Sequence, residues 1–137
     1  MRTYFLFVVA AYILISTSKA AILSSPIVKP DIVVAGDGSG DFKTIQEALN
    51  SISRTNWQRM IVFIKDGVYR EKVRIDSGFV TLHGQSRQGT RIEFAQGADE
   101  FARQPDDLGR AVVNINGNEC VLENLTIQNT HGVILPL

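Results

Sequence analysis

The chain has 137 residues, with 14 basic against 14 acidic side chains, a formal charge of zero and 45% hydrophobic residues. That length suits at most one domain, and the apolar content suits a packed chain rather than a disordered one. With no net charge, and with basic residues interspersed among acidic ones as in Lys65-Asp66 and Arg70-Glu71-Lys72, there is no electrostatic case for nucleic acid or an anionic membrane as partner.

Residues 1–20 read as a secretory signal peptide. Arg2 supplies the positive start, Tyr4 to Ile15 an unbroken apolar run, and Ser18 and Ala20 the small residues of a cleavage site. The run is shorter than the roughly 20 apolar residues a membrane span needs, so the expectation is a secreted protein with no membrane attachment after cleavage. Residues 21–30 read as a short linker carrying Pro26 and Pro30. One cysteine, Cys120, excludes an internal disulfide, and its apolar neighbours Val121 and Leu122 favour burial over a free reactive thiol.

Asp31 to Ala35 reads as a first strand, followed by the turn-rich Gly36-Asp37-Gly38-Ser39-Gly40-Asp41. That loop has neither the Gly-Lys-Ser/Thr ending of a P-loop nor dinucleotide-fingerprint spacing. A helix is predicted over 44–53. Thr44 and Glu47 form a capping box, and Ile45, Ala48, Leu49 and Ile52 recur at helical spacing. Beyond residue 58 the period shortens to that of strands: Met60 to Ile64, the turn Lys65-Asp66-Gly67, then pieces at 73–75, 80–82, 91–94, 112–115, 121–122 and 125–127. Residues 97–111 interrupt the series as a polar, protruding loop. Many short strands behind one helix suit a β-sandwich or barrel, or a parallel β-helix of stacked coils. Asn124 and Asn129, placed at tight corners between very short strands, favour the β-helix, because Asn tolerates the left-handed backbone such corners need. The amphipathic helix then sits where it can cap the open end of the stack.

The segment from Val34 to Ala48 resembles the opening of pectin methylesterase catalytic domains. Gly67-Val68-Tyr69-Arg70-Glu71 resembles the family's Gly-x-Tyr-x-Glu signature, Leu82-His83-Gly84-Gln85 its Leu/Ile-x-Gly strand end, and Leu125 to Thr130 the strand leading toward its active site. Four motifs in order span residues 31–132. The resemblance implies an all-β fold, a right-handed parallel β-helix of the pectin-lyase kind, of which this chain carries the N-terminal coils and a capping α-helix. It also implies a carboxylic ester hydrolase acting on methyl esters of homogalacturonan in cell-wall modification or pectin catabolism; no cofactor is expected, and no metal, since His83 and His131 are isolated and there is no second Cys. In the family one Asp attacks the ester, a second Asp acts as acid and base, Gln amides hold the oxyanion and an Arg orients the nucleophile. Those roles fit the chemistry of acyl transfer. The family carries them in segments for which residues 31–137 offer no match. No catalytic residue is therefore assigned within the chain, and the catalytic segments are expected to lie beyond Leu137. The chain reads as truncated, with 133–137 as a non-family tail. Alone it is expected to be inactive and prone to self-association. A second departure is Asp107 to Val112, which stands where many members have a Thr-rich, substrate-touching entry to the strand.

Tyr69 and Glu71 are the candidate substrate-binding residues: an exposed tyrosine would stack on a sugar ring, and Glu71 would anchor a neighbouring loop. The competing reading packs Tyr69 inside the first coil and pairs Glu71 with a local basic residue. Asp37 and Asp41, set among glycines, read as turn formers rather than a catalytic pair. His83 and His131 lack a supporting Ser, Cys or Asp motif, and no Gly-x-Ser-x-Gly elbow exists. Asn124 heads the only Asn-x-Ser/Thr sequon and is expected to be inaccessible at its corner. Pectin is the expected partner. The alternatives are a non-catalytic secreted β-helix that binds polysaccharide or a partner and, more weakly, a pectate lyase relative, which would need Ca²⁺-binding carboxylates.

Overall fold

The computed structural model describes residues 29–132. The expected signal peptide, most of the linker and the tail 133–137, Leu137 included, lie outside the described residues. So does the expectation that the family's catalytic segments lie beyond Leu137. The elements run β1 (Ile32–Val34), α1 (Ile45–Asn50), β2 (Met60–Ile64), β3 (Gly67–Tyr69), β4 (Val73–Ile75), β5 (Val80–Gly84), β6 (Thr90–Phe94), α2 (Ala98–Arg103), β7 (Val113–Ile115), β8 (Val121–Glu123) and β9 (Thr126–Asn129).

Every strand pairing is parallel, and the strands fall into three narrow sheets ordered β1-β2-β5-β8, β3-β6-β9 and β4-β7. The chain visits the three sheets in turn and then repeats, so β2-β3-β4 form one coil, β5-β6-β7 the next, and β8-β9 begin another. This is a parallel β-helix. Like residues stack above like: Ile32 pairs with Val62, Val62 with Leu82 and Leu82 with Leu122, while Tyr69 pairs with Ile92 and Ile92 with Ile127. Val34, Val62, Ile64, Ile75, Leu82 and Ile92 are fully buried along the axis. No single coil could shield these side chains, so the stacking itself supplies the core.

The cap helix follows the expected pattern. Ile45, Ala48, Leu49 and Ile52 all lie in the core, and α1 packs on β1 and β4. It is shorter than predicted. The Ser51 hydroxyl turns back to the Ala48 carbonyl at 2.7 Å, and the helix stops at Asn50 rather than near Ser53. Half of the predicted capping box forms, with Thr44 Oγ1 accepting from the Glu47 N–H at 3.2 Å. The other half, from the Glu47 carboxylate to the Thr44 N–H, is not among the described hydrogen bonds; the next two N–H groups are met by a carboxylate from a distant residue, described below.

Corners between sheets carry the backbone cost. Asn124 has φ 54° and its Nδ2 donates to the Gly84 and Gln85 carbonyls at 2.8 and 3.0 Å, which holds one coil's corner to the next. The expectation that Asn124 is inaccessible fails, since the residue is exposed although its amide is committed. Phe79 and Glu119, with φ 58° and 53°, occupy the equivalent corner ahead of β5 and β8. Left-handed backbone at such residues costs on the order of 1–2 kcal/mol each, and the bond from Phe79 N–H to the Asn118 carbonyl at 2.9 Å offsets part of it. In the first loop, Gly40 is needed for close approach: a Cβ there would lie 2.6 Å from the Val33 carbonyl oxygen.

Two elements depart from the sequence reading. The stretch 97–111 is not wholly irregular. It opens with α2, started by the Glu100 carboxylate accepting from the Gly97 N–H at 3.3 Å, though α2 buries no residue. Cys120 is half-buried rather than buried, its thiol 3.6 Å from the Ser77 and Asn118 carbonyls.

Candidate functional site

Three of the four sequence motifs meet at one corner. Where β1, β2 and β5 end, Ala35, Gly36, Asp37, Lys65, Asp66, Gly67, Val68, Tyr69 and Gln85 line a cleft of about 470 Å³. Its polar groups are already organised. Lys65 Nζ donates to Ser39 Oγ at 2.9 Å, and Ser39 donates to Asp37 Oδ1 through both its hydroxyl (2.6 Å) and its N–H (2.9 Å). The Ser39 hydroxyl, then the Ser39 N–H, hold the Asp37 carboxyl below the usual carboxylate range. On the opposite wall Gln85 Oε1 accepts from the Asp66 N–H at 3.1 Å, and Asp66 Oδ1 accepts from Ser86 Oγ and Thr90 Oγ1 at 2.8 and 3.0 Å. Asp37 forms its own turn, and Asp41 binds the Val33 N–H at 2.7 Å, so the two aspartates act on the backbone and not as a pair.

Tyr69 stands at this corner but faces inward. Only 5% of its surface is exposed, and its hydroxyl donates to the Lys65 carbonyl at 2.9 Å. Burial raises the phenol's pKa above its ordinary value. A buried ring cannot offer the open face that sugar stacking needs, although Tyr69 is among the residues that line the cleft. Glu71 reaches back to the cap helix. Its two carboxylate oxygens accept from the Ile45 and Gln46 N–H groups at 2.9 and 3.0 Å. These are two of the orphan donors of the first helical turn, where a negative charge is favoured. The expected pairing of Glu71 with a local basic residue is absent among the described ion pairs.

The sequence reading gave no role to Lys72, yet among the described residues it is a buried charge with three hydrogen-bond partners. Its side chain is 3% exposed, and its ammonium donates to Gln96 Oε1 at 3.0 Å, the Gly109 carbonyl at 2.7 Å and the Asp106 carboxylate. It also lies 5.0 Å from the Phe101 ring centroid and 5.8 Å from that of Phe94. Lys72 therefore pins the 97–111 insertion to the coil beneath. The only signal in the sequence was a lysine next to a strand, which is usually a solvated residue.

His83 Nδ1 lies 2.8 Å from Glu123 Oε1, and its ring stacks on Phe63 with centroids 5.9 Å apart. Neither His83 nor His131 meets a nucleophile. Among the described residues no group of three or more His, Cys, Asp or Glu is placed to hold a metal ion, and no helix is long and apolar enough to cross a membrane. At the lower end of the stack, Ala111, Val112, Val113, Ile115, Leu122, Ile127 and Asn129 line an open apolar cavity of about 420 Å³.

The sequence model of the family described as pectinesterase matches residues 31–134. A pectinesterase from Petunia integrifolia is 37% identical over 106 residues, which covers 76% of this chain and 28% of the relative. Pectinesterase 3 from Citrus sinensis is 32% identical over 120 residues, covering 86% and 20% respectively. Among solved structures, pectin methylesterase PemA from Erwinia chrysanthemi superposes with a TM-score of 0.64 at 26% identity, over 77% of this chain and 32% of that one. The carrot pectin methylesterase, at 23% identity and a TM-score of 0.56, supports the fold over 74% of this chain and 39% of that one. The chain thus spans less than a third of the length of these curated relatives. The family match begins at the first strand of the coil stack and takes in every coil described above: the chain belongs to the pectinesterase family.

Proposed function

We propose that the protein whose leading coils are residues 31–132 hydrolyses methyl esters of homogalacturonan, releasing methanol and leaving free carboxylates. The observation that carries this is the pectinesterase match over residues 31–134, laid on coils three of whose four motifs meet at one corner. A structure similar to this one is a pectin methylesterase in complex with a hexasaccharide, 27% identical with a TM-score of 0.63. A saccharide partner is therefore part of the proposal. So is a secreted, extracellular or cell-wall setting, for which the apolar leader at residues 4–15 is the support. In this reading Tyr69 borders the saccharide path as part of the cleft lining. Glu71, with both oxygens engaged by helix N–H groups, acts through the framework.

The chemistry calls for a carboxylate nucleophile, a second carboxyl as acid and base, and amide donors at the oxyanion. The described residues do not assemble that set, so the proposal assigns these steps to segments of the complete protein beyond Leu137. The test is methanol release from methylated pectin by the complete gene product, measured against a heat-inactivated control. Release above the control is expected, and its absence would overturn the proposal. A polypeptide of residues 21–137 assayed alone is expected to release none; turnover by it would mean that an unrecognised site lies within these coils.

A further inference from the structure

Trp57 is 74% exposed, the most open large apolar side chain among the described residues. Tryptophan is on average one of the better buried residues, and here it stands on a loop that is not slack. Asn56 closes the loop on itself, donating to the Gln58 carbonyl at 2.7 Å and accepting from the Gln58 N–H at 3.3 Å. The same amide anchors the loop to the Gly78 carbonyl at 2.9 Å. The Asn56 N–H bonds the Ser53 carbonyl at 3.0 Å, and the Ser53 and Thr55 hydroxyls meet at 2.9 Å.

Arg54 and Arg59 stand on either side of Trp57 in the sequence. Arg54 is 77% exposed and touches Asp76 at 3.2 Å through one nitrogen. Arg59 is held across the coil tops, donating to the Glu119 carbonyl at 2.5 Å with its guanidinium 5.9 Å from the Phe79 ring centroid. Each guanidinium has five N–H donors in a planar fork, so both keep donors beyond these contacts. An exposed indole on a bonded loop that also carries two guanidinium forks matches one chemistry well. The C–H face of a pyranose stacks on the indole, and uronate carboxylates take the forks in charge-assisted bonds. A methyl ester would remove the charge and weaken that fit.

We propose that the loop from Arg54 to Arg59 is a binding surface for de-esterified galacturonan, the product rather than the substrate of the proposed reaction. The identity of the polymer rests on the reading given under Proposed function. The surface is separate from the corner cleft. Trp57 precedes β2 and the cleft follows it, so the strand's length sets them roughly 15 Å apart. Binding there would hold the protein on stretches that have already been demethylated.

Trp57 is the chain's one tryptophan, so intrinsic fluorescence reports this loop alone. The full chain is titrated with oligogalacturonate, with the same oligomer fully methyl-esterified, and with polyglutamate as a non-carbohydrate polyanion. Oligogalacturonate is expected to change the emission, with affinity about tenfold above either control, equivalent to about 1.4 kcal/mol, and to weaken at high salt. Arg54→Gln and Arg59→Gln should each weaken it several-fold. In affinity electrophoresis, Trp57→Phe should keep retention on polygalacturonate and Trp57→Ala should lose it. An unchanged emission, an equal response to either control, or full retention of Trp57→Ala would overturn the inference. Methanol release is read separately. Binding by this chain with no methanol release from the complete gene product counts against the esterase reading alone, and release by the gene product without binding here counts against this surface alone.

Discussion

At the scale of single residues, the two charges of the Glu71-Lys72 pair show what a motif hides. The Gly-x-Tyr-x-Glu pattern was legible in the sequence, but its purpose was not. Glu71 meets N–H groups contributed 26 and 25 residues earlier, and Lys72 meets acceptors contributed 24 to 37 residues later. Local spacing carries no record of such partners. Replacing Glu71 with Ala would strand two helix donors, at a cost of about 1–3 kcal/mol. Chemical denaturation should show this, and an unchanged midpoint would remove the capping role. The partner of Lys72 makes a second prediction. The Lys72 hydrogen bond is the largest of the influences holding the Asp106 carboxyl below its ordinary value. A carboxyl lowered in the folded state stabilises the fold above its unfolded pKa of about 3.9 and loses that contribution as pH falls through the lowered value. Thermal melts from neutral pH down to about 3 should therefore fall less steeply for Asp106→Asn than for the parent. Parallel curves would show that the carboxylate is not linked to folding.

At the scale of elements, legibility followed length and periodicity. Helix α1 and strands β1, β2 and β5 were readable because their apolar positions recur over at least three residues and their turns carry Gly, Asp or Asn. Strand β3 was missed because Gly67 completes a Lys-Asp-Gly turn signal and Gly-Val-Tyr has no apolar–polar alternation, unlike the equally short Val73–Ile75; it becomes a strand by pairing with β6. Helix α2 was missed because it buries nothing and so has no apolar stripe to read. The left-handed corners at Phe79 and Glu119 were invisible for the opposite reason: tertiary pairing imposes a conformation that neither residue prefers. The cap helix gives the clearest test at this scale. Ile45 is fully buried beneath the first coil, so Ile45→Asp would place a charge against apolar coils and cost several kcal/mol. Leu49→Ala should cost about 2–5 kcal/mol by leaving a cavity. If both variants melted with the parent, α1 would not be sealing the stack.

At the scale of the whole molecule, the two ends of the described stack differ. At the upper end α1 covers the axis, and Ile32, Ile45 and Leu49 are buried. At the lower end the same inward rows open to solvent. Ile75 is fully buried, but its stacking partner Ile115 is 48% exposed; Ile92 is fully buried, but Ile127 beneath it is 43% exposed. Among the described residues nothing pairs with the far sides of β7, β8 and β9. This end therefore combines an apolar cavity with three unpaired strand edges, the two features that template association, and repeat folds need such ends covered to stay soluble. A polypeptide of residues 21–137 is expected to associate in a concentration-dependent way in size-exclusion chromatography. Ile115→Lys combined with Ile127→Lys should shift it toward monomer with little loss of stability, because both side chains are already half in water. A control substitution at an exposed apolar residue away from this end, Val68→Lys on β3, should leave the association unchanged. A parent that ran as a monomer at every concentration and melted in one sharp transition would show that the lower end needs no cover. The coils would then be a self-sufficient unit, and the non-catalytic, polysaccharide-binding reading would gain over the esterase one.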